Sequence, residues 1–342
     1  MKAILLGVTL LFTTTLQSQI KPNFFPEDIL TEGFEGKCYC KPGVENKSRS
    51  RGLSITYGQT NSASYVADGE TPAFSDPLSV LNQLDQFELK LKIPLLLKER
   101  TKLLLSYKYY IESYNFKAIG ADFPATFQAL DQQSLKSNDY GLILSHSLNE
   151  KNYLIVRYKY GTNGNYEGWT NFNSRFAIHS VLGMYGIKKT DDFEWGIGFF
   201  FTKSFRQTSG LPFLLYNRNF NDKWGIEAMF PANVFLRHNM GKKSIATIGV
   251  EYNSKSFRIA ETDALTDIDY AFNHAEILPS INLERHLTSW FWANFSLGYQ
   301  VNFSSEFLDK SGLTTDFQAD PGSGFFFNVG IFISPEFDKQ EH

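Results

Sequence analysis

Residues 87–95 read Phe-Glu-Leu-Lys-Leu-Lys-Ile-Pro-Leu, and residues 103–111 read Leu-Leu-Leu-Ser-Tyr-Lys-Tyr-Tyr-Ile. In both stretches an apolar or aromatic residue occupies every second position. Side chains of a β-strand alternate between its two faces, so each stretch predicts a strand with one apolar face. The intervening Lys98-Glu99-Arg100-Thr101 is typical of a tight turn, and the whole predicts a β-hairpin.

The same alternation recurs along the chain. It is clear in residues 153–161, 193–203 and 290–303, and weaker in 51–58, 139–148, 175–187, 213–220, 244–257 and 272–285. Short connections alternate with longer ones, which we place near 59–84, 116–137, 162–174, 205–211, 258–270 and 304–322. This alternation is typical of a barrel with tight turns on one rim and loops on the other. We therefore predict an all-β fold, a closed antiparallel up-and-down transmembrane β-barrel.

The number of strands depends on Phe230-Pro231-Ala232-Asn233. If these residues form a tight turn, the segments 224–230 and 233–239 are separate strands and the barrel has about 14 strands. If they form a bulge, the number is 12. We prefer 14, although both segments are short for a membrane-crossing strand.

Composition excludes several classes of protein. The chain has 342 residues, 16% of them aromatic, with a net charge of −3, which is not the composition of a disordered chain. Its 33 basic and 36 acidic residues provide no cationic excess, so we expect no nucleic-acid partner. After the first twenty residues no apolar run reaches the roughly 18 residues of a transmembrane helix.

Both ends of the chain indicate export to an envelope. Residues 1–18 have one positive charge, an apolar core and a small residue, Ser18, which predicts a cleaved signal peptide. Residues 325–337 alternate and end on Phe337, as in the terminal strand that barrel-assembly machinery recognises. We divide the rest into residues 19–50, a periplasmic extension or plug, residues 51–337, the barrel, and the tail 338–342.

A resemblance to known proteins supports this interpretation. The stretch Asn219-Phe220-Asn221-Asp222-Lys223-Trp224, followed by Met229-Phe230-Pro231, resembles a hairpin of uncharacterised outer-membrane β-barrel families of Gram-negative bacteria. With the terminal strand, the resemblance covers residues 51–337. It implies a barrel fold and a location in the outer membrane, with no catalytic residues.

In hydrocarbon every backbone polar group needs an internal partner, so the sheet must close on itself. The apolar faces then contact outer-membrane lipid, and the polar faces line the lumen. We predict that ten charged side chains line it: Glu88, Lys90, Lys92, Lys108, Glu112, Arg157, Lys159, Glu194, Glu227 and Glu251. Aromatic residues near strand ends are predicted at the membrane interfaces: Tyr107, Tyr109, Trp195, Trp224, Trp290 and Trp292. A soluble β-sandwich, with the apolar face buried, is the alternative.

The sequence predicts no catalytic, cofactor-binding or metal site. Cys38 and Cys40 are interpreted as inert or locally paired, with a redox or metal site as the alternative. Asp263, Asp267 and Asp269 fit either a solvated loop or a Ca²⁺ site. We predict a passive channel or small-solute transporter. The predicted lumen has charges of both signs, so the sequence does not decide whether it is open or plugged. The alternatives are an interaction barrel with a filled lumen and binding loops, and a lipid-modifying barrel enzyme.

Overall fold

The computed structural model describes residues 40–69, 79–116, 130–131, 133–205, 207–263, 266–309, 317–320 and 323–334. The predicted signal peptide, Cys38, Phe337 and the tail lie outside these ranges.

The described residues form β-strands almost throughout. The strands are β1 (Leu53–Gly69), β2 (Ser79–Leu97), β3 (Thr101–Phe116), β4 (Leu135–Ser147), β5 (Asn152–Gly164), β6 (Ala177–Thr190), β7 (Phe193–Lys203), β8 (Thr208–Asn219), β9 (Trp224–Phe230), β10 (Asn233–Asn239), β11 (Ser244–Asp263), β12 (Thr266–Thr288), β13 (Phe291–Leu308), β14 (Phe317–Asp320) and β15 (Gly324–Ile333). A short 3-10 turn, Ser174–Phe176, precedes β6. Within the described ranges no helix is long and apolar enough to cross a bilayer.

The sheet closes into a barrel. Each strand from β1 to β12 pairs antiparallel with the next, β13 pairs with β15, and β15 pairs with β1. Fourteen described strands thus form the closed wall, while the four-residue β14 pairs with the outer end of β1. The prediction of an antiparallel barrel of about 14 strands is confirmed. Pro231 and Ala232 form the tight turn between β9 and β10.

Two hairpins extend farther than the sequence predicts. We expected long connections near 59–84 and 258–270, but β1 continues to Gly69 and β11 pairs with β12 as far as Asp263. Backbone hydrogen bonding between partner strands needs no apolar face, so the ladders continue beyond the clear alternation.

The two faces of the wall differ in polarity. Ile197, Leu297 and Ile331 point outward and keep 50 to 57% of their surface exposed. Their inward-facing neighbours on β13, Asn294 and Gln300, are buried. Exposed apolar side chains of this kind are present on nearly every strand, which is the surface expected of a lipid-facing barrel.

The six aromatic residues predicted at the interfaces divide into three groups, of which one, Tyr107 and Trp195, is half-buried. Trp224 and Trp290 are exposed beside the short turns. Trp292 is fully buried, because it points into the barrel and packs against Phe332, and Tyr109 is buried beneath Trp169. The prediction was wrong for both: Trp292 is on the inner face, because proximity to a strand end does not show which face a side chain occupies, and Tyr109 is on the outer face but is covered by Trp169.

Two apolar clusters occupy parts of the interior. The outer cluster lies toward the long loops and includes Tyr114, Phe116, Phe257, Phe272 and Phe307. The inner cluster packs against the inner surface of β3–β9 and includes Tyr153, Leu182, Met184, Phe200 and Phe213. A polar cavity occupies the rest of the interior and is lined by residues from both sides of the barrel.

Candidate functional site: the barrel lumen

The lumen contains a cavity of about 350 Å³. Eight of the ten charged residues predicted for the lumen line it: Glu88, Lys90, Lys92, Lys108, Arg157, Lys159, Glu227 and Glu251. The other two, Glu112 and Glu194, are fully buried and hold separate contacts described below.

The cavity wall formed by β2–β5 is predominantly basic. Glu88 accepts hydrogen bonds from two lysines, with its oxygens 2.8 Å from Lys90 Nζ and 2.9 Å from Lys108 Nζ. Lys159 Nζ lies 2.9 Å from Asp139 Oδ2. We call this surface, with Lys92 and Arg157, the basic wall.

Small residues leave room between the lysines of the basic wall. In the strand register Lys92 lies opposite Ser106, Ser106 opposite Gly141, and Gly141 opposite Lys159. A β-carbon at Gly141 would stand 2.5 Å from Ser106 Oγ, closer than atoms in contact can lie, so glycine is what allows the serine hydroxyl to occupy this position. The amines of Lys92 and Lys159 are thus separated along the wall by two small residues, Ser106 and Gly141.

Neutral polar side chains line the neighbouring strands. On β1, β13 and β15 these are Thr56, Thr60, Asn294, Ser296, Gln300 and Asn328. Thr60 donates a hydrogen bond of 2.9 Å to Gln300 Oε1. Hydroxyl and amide groups of this kind offer both donors and acceptors to a hydrated solute.

The opposite side of the cavity, formed by β9, β11 and β12, is acidic. Four carboxylates lie there, those of Glu227, Glu251, Glu276 and Glu284, and we call this surface the acidic wall. Buried Arg237 contacts Glu227, with its Nε 2.8 Å from the carboxylate. The lumen therefore has walls of opposite charge.

A bridge crosses the lumen on the long-loop side of the cavity. Lys255 on β11 reaches β3, where its Nζ lies 2.9 Å from Glu112 Oε2 and 2.6 Å from Tyr110 Oη. His274 Nε2 lies 3.6 Å from the other Glu112 oxygen. Strands on opposite sides of the barrel are thus connected through buried side chains.

The backbone joins the same two sides. Arg258 on β11 pairs with Gly164 at the end of β5, and the Asn165 N–H donates to the Arg258 carbonyl at 3.2 Å. A β-carbon at Gly164 would collide with that carbonyl and with the Phe176 ring. Only glycine permits this approach, so Gly164 holds the lumen narrow at this level.

Residues 40–52, which we call the strap, lie across the short-turn end of the barrel. The Cys40 N–H donates to the Asn149 carbonyl at 3.2 Å, and the Glu45 N–H donates to the Asp191 carbonyl at 2.8 Å. The strap thus contacts the β4–β5 turn and then the β6–β7 turn. Burial raises the pKa of the Cys40 thiol to about 11.

The strap also binds three glutamates inside the barrel. Gly43 N–H donates to Glu194 at 2.7 Å, and Ser48 N–H donates to Glu227 at 3.0 Å. The Arg51 guanidinium lies 2.7 Å from Glu284. Arg49 lies over the ring of Trp292, 5.4 Å from its centroid, so the inward-facing tryptophan is covered by the strap.

Sequence reasoning missed several residues of the lumen. Lys255, Glu276 and His274 lie on β11 and β12, within the segments 244–257 and 272–285, whose alternation is weak. Continuing the two-residue step from Glu251 through Asn253 would have reached Lys255. Nothing in the sequence pattern indicates that Lys255 meets Glu112.

Two histidines on the strands, and one aspartate of the predicted acidic cluster, are held in structural contacts. His146 Nδ1 lies 2.8 Å from Thr101 Oγ1, and His179 Nδ1 lies 2.9 Å from Tyr158 Oη. Asp269 is buried and bound by Arg258, so it does not belong to a solvated loop. In the described part of the chain no group of three or more His, Cys, Asp or Glu residues could hold a metal ion.

Comparison with solved structures finds outer-membrane barrels at low identity. A FadL homologue from Pseudomonas aeruginosa has 11% identity over 83% of this chain and 90% of its own, with a TM-score of 0.42. The COG4313 outer-membrane channel from Pseudomonas putida F1 has 12% identity over 88% and 100%, with the same TM-score. The toluene transporter TodX of P. putida has 9% identity over 85% and 91%, with a TM-score of 0.33.

No curated protein matches the sequence. A family model does match, over residues 86–336, which is most of the barrel. The resemblance to an uncharacterised outer-membrane barrel family is confirmed: the chain belongs to the family of the domain of unknown function DUF6268.

Proposed function

We propose that this protein is an outer-membrane channel for small polar solutes. One observation carries the proposal: a polar cavity of about 350 Å³ lies inside a closed wall whose outer surface is apolar. A wall of this kind is stable only in lipid, and a charged, hydrated interior is costly unless water or solute occupies it.

The location and maturation of the chain are part of the proposal. We propose that residues 1–18 are a signal peptide cleaved near Ser18 in a Gram-negative cell, and that the strand ending at Phe337 is presented to the assembly machinery. Fractionation of the native cells followed by N-terminal sequencing tests this. Recovery of uncleaved protein in the soluble fraction would contradict it.

We also propose that residues 19–50 act as a plug at the short-turn end. The described part of this segment supports the idea, because strap residues bind the lumen glutamates Glu194 and Glu227. A segment held by a few such contacts reduces the open cross-section without being part of the wall.

Conductance measurements test the channel. The mature chain is refolded and inserted into planar bilayers beside a variant that lacks residues 19–50. We expect small unitary currents from the mature chain and larger ones from the deletion variant. An equal amount of unfolded protein is the control, and a gel-mobility shift on heating confirms folding. Absence of current from both folded proteins would refute the channel.

A second candidate, an interaction barrel with a filled lumen, is favoured by the contact between Lys255 and Glu112 across the interior. Of its predicted binding loops, 116–137 falls mostly outside the described ranges, and 304–322 falls partly outside them. This candidate predicts no current even from the deletion variant, so the same experiment separates the two. No observation on the described residues favours a lipid-modifying enzyme.

A further inference from the structure

We infer that the lumen cavity takes small polar anions, such as carboxylates or phosphate, and that the strap sets this preference. The inference concerns the charge of the cavity, and it rests on the proposed channel only for its role in transport. It follows from how charge is distributed around the cavity.

The cavity differs in charge from the whole chain. Among the described residues that line it, nine side chains are basic and six are acidic, whereas the chain carries a net charge of −3. Two buried neighbours, Glu112 and Arg237, add one charge of each sign and leave the excess unchanged. A surplus of Lys and Arg is the usual feature of anion-selective pores.

The basic charge is concentrated on one side. The basic wall has five cationic side chains, those of Lys90, Lys92, Lys108, Arg157 and Lys159, and two carboxylates, Glu88 and Asp139. The acidic wall has four carboxylates and one cation, Lys255. Without the strap the walls would therefore balance, six charges against six.

The strap supplies the excess. Lys47, Arg49 and Arg51 are its three cations at the cavity. Arg51 contacts Glu284 of the acidic wall directly, and Ser48 donates two hydrogen bonds to Glu227 of the same wall. Strap docking thus neutralises the acidic wall and leaves the basic wall as the dominant charged surface.

The surroundings strengthen the effect. The cavity lies within a barrel surrounded by hydrocarbon and beside the inner apolar cluster, so its charges are screened less than surface charges. Hydroxyl and amide groups on β1, β13 and β15 can replace part of the hydration shell of a small anion. The site therefore offers both a positive potential and hydrogen-bond donors.

A cysteine placed in the basic wall reports this potential without needing conductance. Ser106 lines the cavity between Lys92 and Lys159. In protein lacking both native cysteines through Cys38→Ala and Cys40→Ala, Ser106→Cys is reacted with methanethiosulfonates of similar size, one bearing a sulfonate and the other a trimethylammonium group. The reference thiol is Phe220→Cys, on the exposed β8–β9 turn.

We expect the ratio of anionic to cationic reaction rates at Ser106→Cys to exceed the reference ratio by about tenfold. Adding Arg49→Gln and Arg51→Gln should lower the ratio several-fold, and Lys92→Glu should lower it as well. Lys98→Glu, a charge reversal on an exposed turn, is the matched control and should leave the ratio unchanged. Folding of each variant is confirmed by the gel-mobility shift.

A ratio at or below the reference, or no reaction with either reagent, would overturn the anion site. A ratio unaffected by the arginine substitutions would overturn the role of the strap. A high ratio in protein that carries no current would refute the channel and leave the anion site standing, so the two failures are distinguishable.

Discussion

Lys255 and Glu112 belong to strands on opposite sides of the barrel, yet the lysine nitrogen lies 2.9 Å from the carboxylate. Both residues are buried, and 143 positions of sequence separate them. The pair holds the two sides of the wall together at the level of the outer apolar cluster, where Tyr110 and Phe272 also pack.

Lys255→Met should destabilise the barrel strongly. The change leaves Glu112 as a buried carboxylate without its ammonium partner, which costs about 3–5 kcal/mol. Urea unfolding in lipid vesicles measures the loss. The double variant with Glu112→Gln should recover part of it, and Lys151→Met, on an exposed turn, should change the free energy of unfolding by less than about 0.5 kcal/mol. If Lys255→Met alone is as stable as wild type, the pair of Lys255 and Glu112 does not hold the two sides of the wall together.

Gly164→Val should separate β5 from β11. The new side chain would collide with the Arg258 carbonyl and Phe176, so we expect a loss of about 1–3 kcal/mol and a larger unitary current. The matched control is Gly183→Val, because a β-carbon at Gly183 meets nothing within 4 Å. If both valine variants have the same stability and current, the pairing of Gly164 with Arg258 does not narrow the lumen.

Cys40 should react slowly with maleimide in the folded protein. In a Cys38→Ala background, the rise in its pKa from 9.0 to about 11 lowers the thiolate fraction near neutral pH about a hundredfold. Labelling rates before and after unfolding in urea measure the difference. Equal rates would show that the strap is not docked.

The same shift makes strap docking dependent on pH. Because the docked state holds the Cys40 proton more tightly, its contribution is complete below pH 9 and is lost as the pH rises toward 11. Labelling corrected for thiolate formation should therefore accelerate between pH 9 and 11. Cys40→Ala protein has no thiol to label, so docking of its strap is followed by tryptophan fluorescence, to which Trp292 under the strap contributes. This variant should not show the transition.

Ile197→Lys should destabilise the protein although the side chain is 57% exposed. Near the middle of a lipid-facing strand a lysine costs about 2–4 kcal/mol, whereas on a water-exposed surface the change would be nearly neutral. Phe220→Lys is the control, since Phe220 is equally exposed but lies on a turn. Unfolding in lipid vesicles that shows no difference between the two would contradict a lipid-facing β7.

The sequence predicted the faces of the strands well because a two-residue period is a local signal. Glu88 and Lys108 occupy the interior for the same reason that Leu297 and Ile331 point outward. The strand number followed from Pro231, because a proline between two short alternating segments favours a turn, and a turn makes β9 and β10 separate strands.

Contacts across the lumen could not be predicted in this way. Lys255 meets Glu112, and Gly164 meets Arg258, between strands that are far apart in the chain, so no local pattern indicates either contact. The strap has no alternation, because its shape is set by the turns it crosses. Its position inside the rim required the structure, whereas the inward direction of Trp292 follows from its place on the same face of β13 as Asn294 and Ser296.

The seam between β1 and β15 joins residues 53–61 to residues 325–333. These are nearly the most distant strands in the chain, so a nascent polypeptide has two unsatisfied edges until its last strand is synthesised. Ring closure over such a length carries the largest entropic penalty of any pairing in the molecule. A chain truncated before residue 324 would therefore keep every other hairpin and still present open edges to neighbouring molecules, which makes aggregation its expected fate.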